Sequence, residues 1–178
     1  MNEPANAASQ QPSRRQLHKF SSGGKMWFHV LRGKQGLAID NVILRLTGFS
    51  LMTWQFTTSA GVPYKDTLLL TTKGAKTGKR RTNGLPYFEV DGEYLVIGSN
   101  GGGALNPGWS ANVRANPEVL LRIKRKKVPA IGRVTTGDER AKFFAQNAAI
   151  NPALPRYQES ASKFGREVPL VVFTPIKK

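Results

Sequence analysis

The chain has 178 residues, no cysteine, only two histidines, and a formal net charge of +16 with a pI near 10.6. This length suits one domain with a real hydrophobic core. The lack of cysteine excludes disulfides and thiolate chemistry and fits a reducing cytosol. Because His18 and His29 both precede the patterned region, we expect neither a Ser/His/Asp hydrolase nor a metal site. The charge predicts a polyanionic partner: nucleic acid, an anionic membrane or an acidic small molecule.

The N-terminal part is rich in Ala, Gln, Ser, Pro and Gly and shows no periodicity. It predicts a disordered or extended basic arm over residues 1–36, followed by one domain over residues 37–178. Residues 37–56 predict an amphipathic helix, since Val42, Leu46 and Phe49 recur at helical spacing and Asp40 could act as N-cap. The segment is too short and too charged to span a bilayer.

Two interpretations of this helix remain open. Its apolar stripe could face the core, as such stripes commonly do. Alternatively, the helix could lie on an anionic membrane surface, aided by Trp27, Trp54 and the flanking cations.

From Asp66 onward the pattern changes to short strands. Strands are predicted over residues 66–72, 81–90, 93–99, 119–125, 128–135 and 168–173, and helices over 107–116 and 138–149. Asp91-Gly92 is a strong hairpin signal, and a second hairpin is expected to turn at Lys126-Lys127. Asn106 and Pro107 are expected as N-cap and first-turn proline of the first of these helices. These elements predict an α+β fold, mainly antiparallel, with the sheet closed into a small barrel and a few peripheral helices.

The stretch "GAKTGK" at residues 74–79 follows an apolar strand and lies in a run of five cations between Lys73 and Arg81. It is not a P-loop, because only three residues separate its glycines and a strand rather than a helix follows. A turn with this much positive charge and no acidic residue repels itself unless an anion is near. A second cluster, Arg122 with Lys124 to Lys127, is better explained as a solvated hairpin tip and strand face.

Three stretches stand together in order: "LLLTTKGAKTGKRRTNGLPY", "VIGSNGGGALNPGWSANVRANPEV" and "NPALPRYQES" with "REVPLVVFTP". Jointly they resemble the deazaflavin (F420)-dependent nitroreductase family of the split β-barrel flavin and deazaflavin oxidoreductases, over residues 67–175. The resemblance implies a split β-barrel of the FMN-binding type. It also implies hydride transfer from reduced coenzyme F420 to an electron-poor small molecule such as an enone, a quinone or a nitroaromatic.

The same resemblance implies site residues. The coenzyme's phosphate and acidic tail would be held by Lys76, Thr77 and Arg81. Its ring system would lie beside Asn83, Leu85, Pro86, Tyr87, Gly98, Ser99, Asn100, Gly101, Gly108, Trp109 and Asn112. Taken singly, Trp109 could instead be a core aromatic and Asn112 a surface residue.

The expected catalytic residue is Tyr157, whose neutral hydroxyl could donate a hydrogen bond to the acceptor as negative charge develops, although the ring could equally serve packing. The chain departs from the family in two places. Gly84 replaces the family's proline, which leaves both Tyr87 and Phe88 as candidates for the ring-facing position. Leu154 and Ser160 replace family tyrosines, which argues against nitroimidazole-type activity.

Alternative functions are an FMN-binding split-barrel oxidoreductase and a non-enzymatic basic barrel that binds nucleic acid. No specific nucleic-acid binding is expected, because the cation clusters contain no aromatic residue on which bases could stack. We expect a cytoplasmic protein, and peripheral attachment to the inner face of the cell membrane through its N-terminal region stays open as an alternative. The oligomeric state is left open.

Overall fold

The structure, a computed structural model, describes residues 33–59 and 63–176. Helices α1 and α2 come first, then a β-rich region interrupted by three further helices. In chain order the elements are α1 (Gly33–Thr47), α2 (Leu51–Ser59), β1 (Thr67–Lys73), β2 (Arg80–Val90), β3 (Glu93–Ile97), α3 (Gly108–Ala115), β4 (Glu118–Ile123), β5 (Lys126–Val134), α4 (Gly137–Ile150), α5 (Ala153–Ser162) and β6 (Leu170–Pro175).

The six strands form a closed barrel in the order β1-β2-β3-β6-β5-β4, and every neighbouring pair is antiparallel. Closure is made by β4 pairing back with β1, where Leu70 lies opposite Leu121. Alternate side chains of the strands fill the interior, including Leu68, Tyr87 and Phe173. Closure removes the sheet edges that would otherwise be open to aggregation. The predicted mainly antiparallel barrel with peripheral helices is confirmed.

A second core lies outside the barrel, where α4 and α5 cover the strands. It contains Leu95 and Val172 from the sheet, Phe143 from α4 and Leu154 from α5. Helix α5 was not among the predicted elements, and prolines at positions 152 and 155 are residues that a helix interior disfavours. Both are tolerated here, since the first N–H groups of a helix have no intrahelical partner.

The two hairpin predictions had different outcomes. The turn at Asp91-Gly92 is confirmed, with both residues in the left-handed region at φ 52° and 78°. The turn predicted at Lys126-Lys127 is wrong, because Lys124 and Arg125 form it, with φ 44° and 72°. The Arg122 guanidinium holds this turn by donating to the Arg125 carbonyl at 3.1 Å.

The single N-terminal helix predicted for residues 37–56 is two helices, broken at Gly48 with φ 81°. Asp40 is not the N-cap of its own helix. It lies buried within α1, where its carboxylate accepts from Ser50 Oγ at 2.7 Å and from the Met52 N–H at 3.1 Å. Asp40 therefore accepts a hydrogen bond from one of the free backbone N–H groups at the N-terminus of α2. Ser50 Oγ accepts from another, the Thr53 N–H, at 3.0 Å.

The apolar stripe of α1 points to solvent in the described structure. Val42 and Leu46 are 56% and 66% exposed, and Phe49 is also exposed, so the core-facing interpretation is wrong. The buried side is formed by Asp40 and Leu44, and the Leu44 side chain packs over β2 at Gly84, where an added Cβ would lie 3.3 Å from it.

Some predictions fall outside the described residues. The arm predicted for residues 1–36 lies there except for 33–36, which open α1, and Trp27 lies there too. Within the two described ranges, no helix is long and apolar enough to cross a bilayer.

Candidate functional site

The cationic turn joins β1 to β2, as a strand-to-strand connection and not as a loop feeding a helix. It is closed by backbone bonds from the Gly74 N–H to the Lys79 carbonyl at 2.9 Å and from the Gly78 N–H to the Gly74 carbonyl at 2.8 Å. Gly78 has φ 64°, a conformation that glycine adopts without steric cost. Lys76 and Thr77 are exposed at the tip.

The cations of the turn have no carboxylate partners in the described part of the chain. Lys76, Lys79, Arg80 and Arg81 are exposed, and none has an Asp or Glu oxygen within 4.0 Å. The ion pairs found there involve other cations, in the turn between β4 and β5, on β5 and on α4. The turn is therefore a concentrated, uncompensated positive charge that an anion would stabilise.

Asn112 of α3 fixes the turn from below. Its Oδ1 accepts from the Ala75 N–H at 3.0 Å, and its Nδ2 donates to Thr72 Oγ1 at 3.1 Å. One turn later, Asn116 donates to the Lys73 carbonyl at 3.3 Å. Because both ends of the Asn112 amide are occupied, the structure gives this predicted contact residue a positioning role in the turn.

Strand β2 runs from the turn and presents its side chains alternately. Tyr87 points into the barrel, 8% exposed and edge-on to Tyr94 at 5.5 Å between ring centres, and burial raises its pKa to about 12. Phe88 lies on the outer face in the second core, under the Lys65 ammonium at 5.0 Å. Tyr87 is thus buried, whereas Phe88 is only partly buried. Of the other predicted β2 residues, Pro86 is exposed, and Asn83 and Leu85 are partly buried.

The glycine-rich loop after β3 has three successive left-handed residues, Asn100, Gly101 and Gly102, with φ 45°, 63° and 73°. Asn100 and Gly101 are exposed at the tip, whereas Gly102 is buried against α5. An added Cβ on Gly102 would lie 2.8 Å from Ser160 Cβ. Gly98, at the start of the loop, is buried, and Ser99 is partly buried. Small residues are thus required for the close packing of α5 on the loop.

Helix α3 begins at Gly108, which is exposed, with Pro107 in the N-cap position. The N-cap predicted at Asn106 is wrong, because its side chain instead accepts from Arg166. Trp109 is 6% exposed and packs in the barrel core, in agreement with the core-aromatic interpretation of that residue.

Tyr157 lies on α5, one turn from both Leu154 and Ser160. Its ring packs against the second core, and burial raises the pKa of its hydroxyl, with no hydrogen bond contributing. Leu154 is fully buried, and Ser160 contacts the loop at Gly102. The hydroxyl therefore stays protonated at neutral pH and can donate a hydrogen bond.

One residue of this region was missed from the sequence. Arg166 follows α5 and donates to the Ser99 carbonyl at 2.7 Å, to the Gly103 carbonyl at 2.8 Å and to Asn106 Oδ1 at 2.7 Å. The local sequence around Arg166, "SKFGREVP", does not distinguish it from the many solvated cations of this basic chain. No local pattern could have found it, since its partners lie about sixty positions earlier.

The pieces adjoin in space. The turn contacts α3 through Asn112, the start of α3 packs beside Gly98, and the loop contacts α5 at Ser160. The structure thus brings the predicted turn, loop, α3 and α5 into one continuous region.

Comparison with known proteins agrees with this arrangement. The sequence profile of the F420H(2)-dependent quinone reductase family matches residues 49–175. An F420H(2)-dependent quinone reductase of Mycobacterium tuberculosis is 36% identical over 108 residues, which cover 60% of this chain and 72% of that protein. Among solved structures, an F420-H2 dependent reductase (FDR-A) aligns with a TM-score of 0.53 and 32% identity, covering 60% of this chain and 92% of that one. A second solved structure, described as a domain-swapped dimer, aligns with a TM-score of 0.55 and 29% identity. The alignment covers 76% of this chain and 94% of that one.

These matches support coenzyme F420 as the cofactor and support neither the FMN alternative nor the nucleic-acid alternative. With a closed antiparallel barrel, a cationic turn and a glycine-rich loop at one region, the chain belongs to the F420H(2)-dependent quinone reductase family and is an F420-dependent oxidoreductase.

Proposed function

We propose that this protein reduces quinones, or closely related electron-poor acceptors, with hydride from reduced coenzyme F420. The main support for a coenzyme-binding site is the turn at residues 74–79. Its exposed cations have no carboxylate partner in the described residues, yet Asn112 holds its backbone in place. A rigid turn with uncompensated positive charge suits a ligand with a phosphate and an acidic tail.

Lys76 and Arg81 bind that end of the coenzyme, with Thr77 adding a hydroxyl. Lysine supplies a compact charge, and arginine supplies a planar fork that can hold two oxygens at once. The exposed positions of all three residues allow direct contact with the ligand.

The ring system lies along β2 and the glycine-rich loop. Asn83, Leu85, Pro86 and Tyr87 border it on the strand side, with Gly108, Trp109 and Asn112 at the start of α3. Gly98, Ser99, Asn100 and Gly101 bring backbone N–H groups close to its polar edge, since no large side chain intervenes at the tip. When bound, the reduced deazaflavin supplies a hydride as a two-electron donor. The protein's part is orientation, charge neutralisation and exclusion of water.

Tyr157 donates a hydrogen bond to the acceptor oxygen. Its raised pKa keeps the proton in place at neutral pH, so the hydroxyl can stabilise negative charge as it develops on the acceptor. Leu154 is buried and Ser160 lies against Gly102, so neither offers a further phenol. This lining, together with the names of the relatives, favours quinones over nitroaromatics.

Titration with oxidised F420, followed by its fluorescence, tests the binding site. Each charged hydrogen bond lost in Lys76→Glu or Arg81→Glu should weaken binding by about 1.5–3 kcal/mol, or about tenfold to a hundredfold. Lys142→Glu on α4 is the matched control, because Lys142 is exposed and its helix packs on α5 and β6. If all three variants bind equally well, the turn is not the binding site.

A substrate panel tests the acceptor. Reduced F420 and the protein are mixed with a quinone, an enone or a nitroaromatic, and coenzyme oxidation is followed by absorbance. The quinone should give the highest kcat/KM. Turnover of the nitroaromatic alone would overturn the assignment.

We also propose that the protein attaches peripherally to an anionic membrane, on the cytoplasmic side. Helices α1 and α2 and the turn between them expose seven large apolar side chains, here named the N-terminal apolar surface: Leu37, Ile39, Val42, Leu46, Phe49, Trp54 and Phe56. The cationic β4–β5 hairpin tip lies beside it, since a Cβ added at Gly48 would be 3.5 Å from Lys124 Cα. Apolar side chains next to a cation cluster suit the interface of an anionic bilayer.

Vesicle co-sedimentation tests the attachment. Binding should require anionic lipid, and Lys126→Glu with Lys127→Glu should lower it by about tenfold or more, with Lys142→Glu as control. Leu46→Gln should lower it as well. A failure to sediment with vesicles would contradict a membrane partner. Self-association that buries the same surface would contradict it too. Light scattering should therefore be measured alongside, because a related solved structure is a domain-swapped dimer.

A further inference from the structure

The Arg166 guanidinium is a buried cation without a carboxylate partner. It is 8% exposed, and no Asp or Glu oxygen lies within 4.0 Å of it in the described ranges of the chain. The adjacent carboxylate, Glu167, pairs with Arg140 instead, at 3.3 Å. Burying an unpaired charge is costly unless hydrogen bonds compensate for the lost water, and this burial lowers the pKa of the arginine.

The compensating hydrogen bonds all come from one segment. Besides the Ser99 and Gly103 carbonyls and Asn106 Oδ1, the Gly98 carbonyl accepts at 3.4 Å. These acceptors lie at both ends of the glycine-rich loop, and they precede Arg166 by 60 to 68 residues in the chain. A single planar group therefore joins the entry of the loop to its exit.

The tip that this clamp supports has a demanding backbone. Asn100 to Gly102 are three successive left-handed residues, and Asn100 is not a glycine, so its conformation carries a steric cost. Such a segment persists only where its surroundings hold it. The carbonyl oxygens at Gly98, Ser99 and Gly103 are held toward Arg166, while Asn100 and Gly101 stay exposed and accessible to a ligand.

We propose that Arg166 is a positioning residue for the coenzyme: it holds the glycine-rich loop in its binding shape, and its uncompensated charge favours an anionic ligand beside the loop. This inference rests on the proposed function in one respect, namely that the loop borders the coenzyme ring. It assigns Arg166 no contact with the coenzyme.

The structure also offers a way to separate this role from folding. A cavity of about 450 Å³ lies next to Arg166, lined by Asn106, Gly165 and Pro169 among others. In Arg166→Ala, free guanidinium from solution can therefore reach the vacated space. Rescue by guanidinium, with sodium chloride at equal ionic strength as the control, would show that the planar cation itself is what the loop needs.

Three proteins are compared with the wild type: Arg166→Ala, Arg166→Lys and Arg133→Gln. Arg133 is the matched control, because it joins Glu93 to Glu139 through hydrogen bonds of 2.8–2.9 Å and touches none of the loop residues. Arg166→Ala should weaken oxidised F420 binding by about tenfold or more. Arg166→Lys keeps the positive charge but lacks the planar guanidinium. Its affinity for oxidised F420 should lie between that of Arg166→Ala and that of the wild type. Arg133→Gln should lose stability and keep its affinity.

Amide hydrogen exchange without coenzyme gives the independent readout. Residues 98–106 should exchange faster in Arg166→Ala and regain protection in low, non-denaturing guanidinium. Unchanged exchange in this segment would overturn the clamp. Unchanged affinity in both Arg166 variants, beside weakened affinity in Lys76→Glu, would overturn the coenzyme role alone. Unchanged affinity in all of these variants would instead overturn the proposed binding site.

Discussion

The contact between the glycine-rich loop and α5 makes a quantitative prediction at Gly102. In Gly102→Ala the new Cβ would have to lie 2.8 Å from Ser160 Cβ and 3.2 Å from the Tyr157 carbonyl oxygen, at φ 73°. The left-handed backbone costs alanine about 1–2 kcal/mol, and overpacking adds about 1–3 kcal/mol. The free energy of unfolding should therefore fall by about 2–5 kcal/mol.

A second substitution separates the two costs. Ser160→Gly removes the atoms that the new Cβ would meet first, at about 1 kcal/mol for a glycine within a helix. In the double variant most of the steric cost disappears, because only the contact of 3.2 Å with the Tyr157 carbonyl oxygen is left, and the backbone cost remains. The two substitutions should therefore couple favourably by about 1–3 kcal/mol. Gly92→Ala is the matched control, because Gly92 has φ 78° and nothing within 4 Å of its added Cβ, so it reports the backbone cost alone.

Urea unfolding followed by circular dichroism measures the stability of the wild type and of the four variants. Additive effects of Gly102→Ala and Ser160→Gly would refute the packing of α5 on the loop. Turnover of reduced F420 gives the functional counterpart: displacement of α5 also displaces Tyr157, so the double variant should recover part of the activity that Gly102→Ala loses.

Three further predictions concern pH, a turn and the reaction. Hydrogen bonds from Arg133 lower the pKa of Glu93 below its ordinary value of 4.5, so the pair stabilises the fold above that pH and its contribution is lost as pH falls through the lowered value. Urea unfolding should then show a smaller gap between the wild type and Glu93→Gln in acid, and a constant gap at every pH would contradict the pairing. Because Lys124 and Arg125 both have positive φ, an Asn-Gly replacement (K124N/R125G) should raise the unfolding free energy by about 1 kcal/mol, and a loss would contradict the turn type. Tyr157→Phe should lower kcat by roughly tenfold or more with unchanged affinity for oxidised F420, whereas an unchanged kcat would limit Tyr157 to packing.

The strands were predictable because their signals are local. Alternating apolar residues and the Asp91-Gly92 turn depend on side-chain direction and backbone conformation within a few positions. The second hairpin turn was predicted two residues too late in the chain. The turn is formed by Lys124 and Arg125, and neither residue type ordinarily signals a left-handed turn.

The cofactor class was also within reach of the sequence. It was implied by the resemblance of three stretches, which contain the cationic turn and the glycine-rich loop as motifs, to a known family over residues 67–175. The cationic turn alone predicts only an anionic ligand. These motifs do not indicate which residues hold the turn and the loop in place. The buried Trp109 and the use of both ends of the Asn112 amide became evident only from the fold.

The amino-acid sequence by itself determined the antiparallel strands and the cationic turn, since each depends on patterns that span one element or one turn, and its resemblance to a known family implied the coenzyme class. Tertiary structure alone decided which side of α1 is buried, because Leu44 meets β2 at Gly84 and leaves Leu46 in solvent. It alone brought Arg166 to the glycine-rich loop. A long-range contact is specified by the joint packing of distant segments, and no short stretch of sequence carries that information.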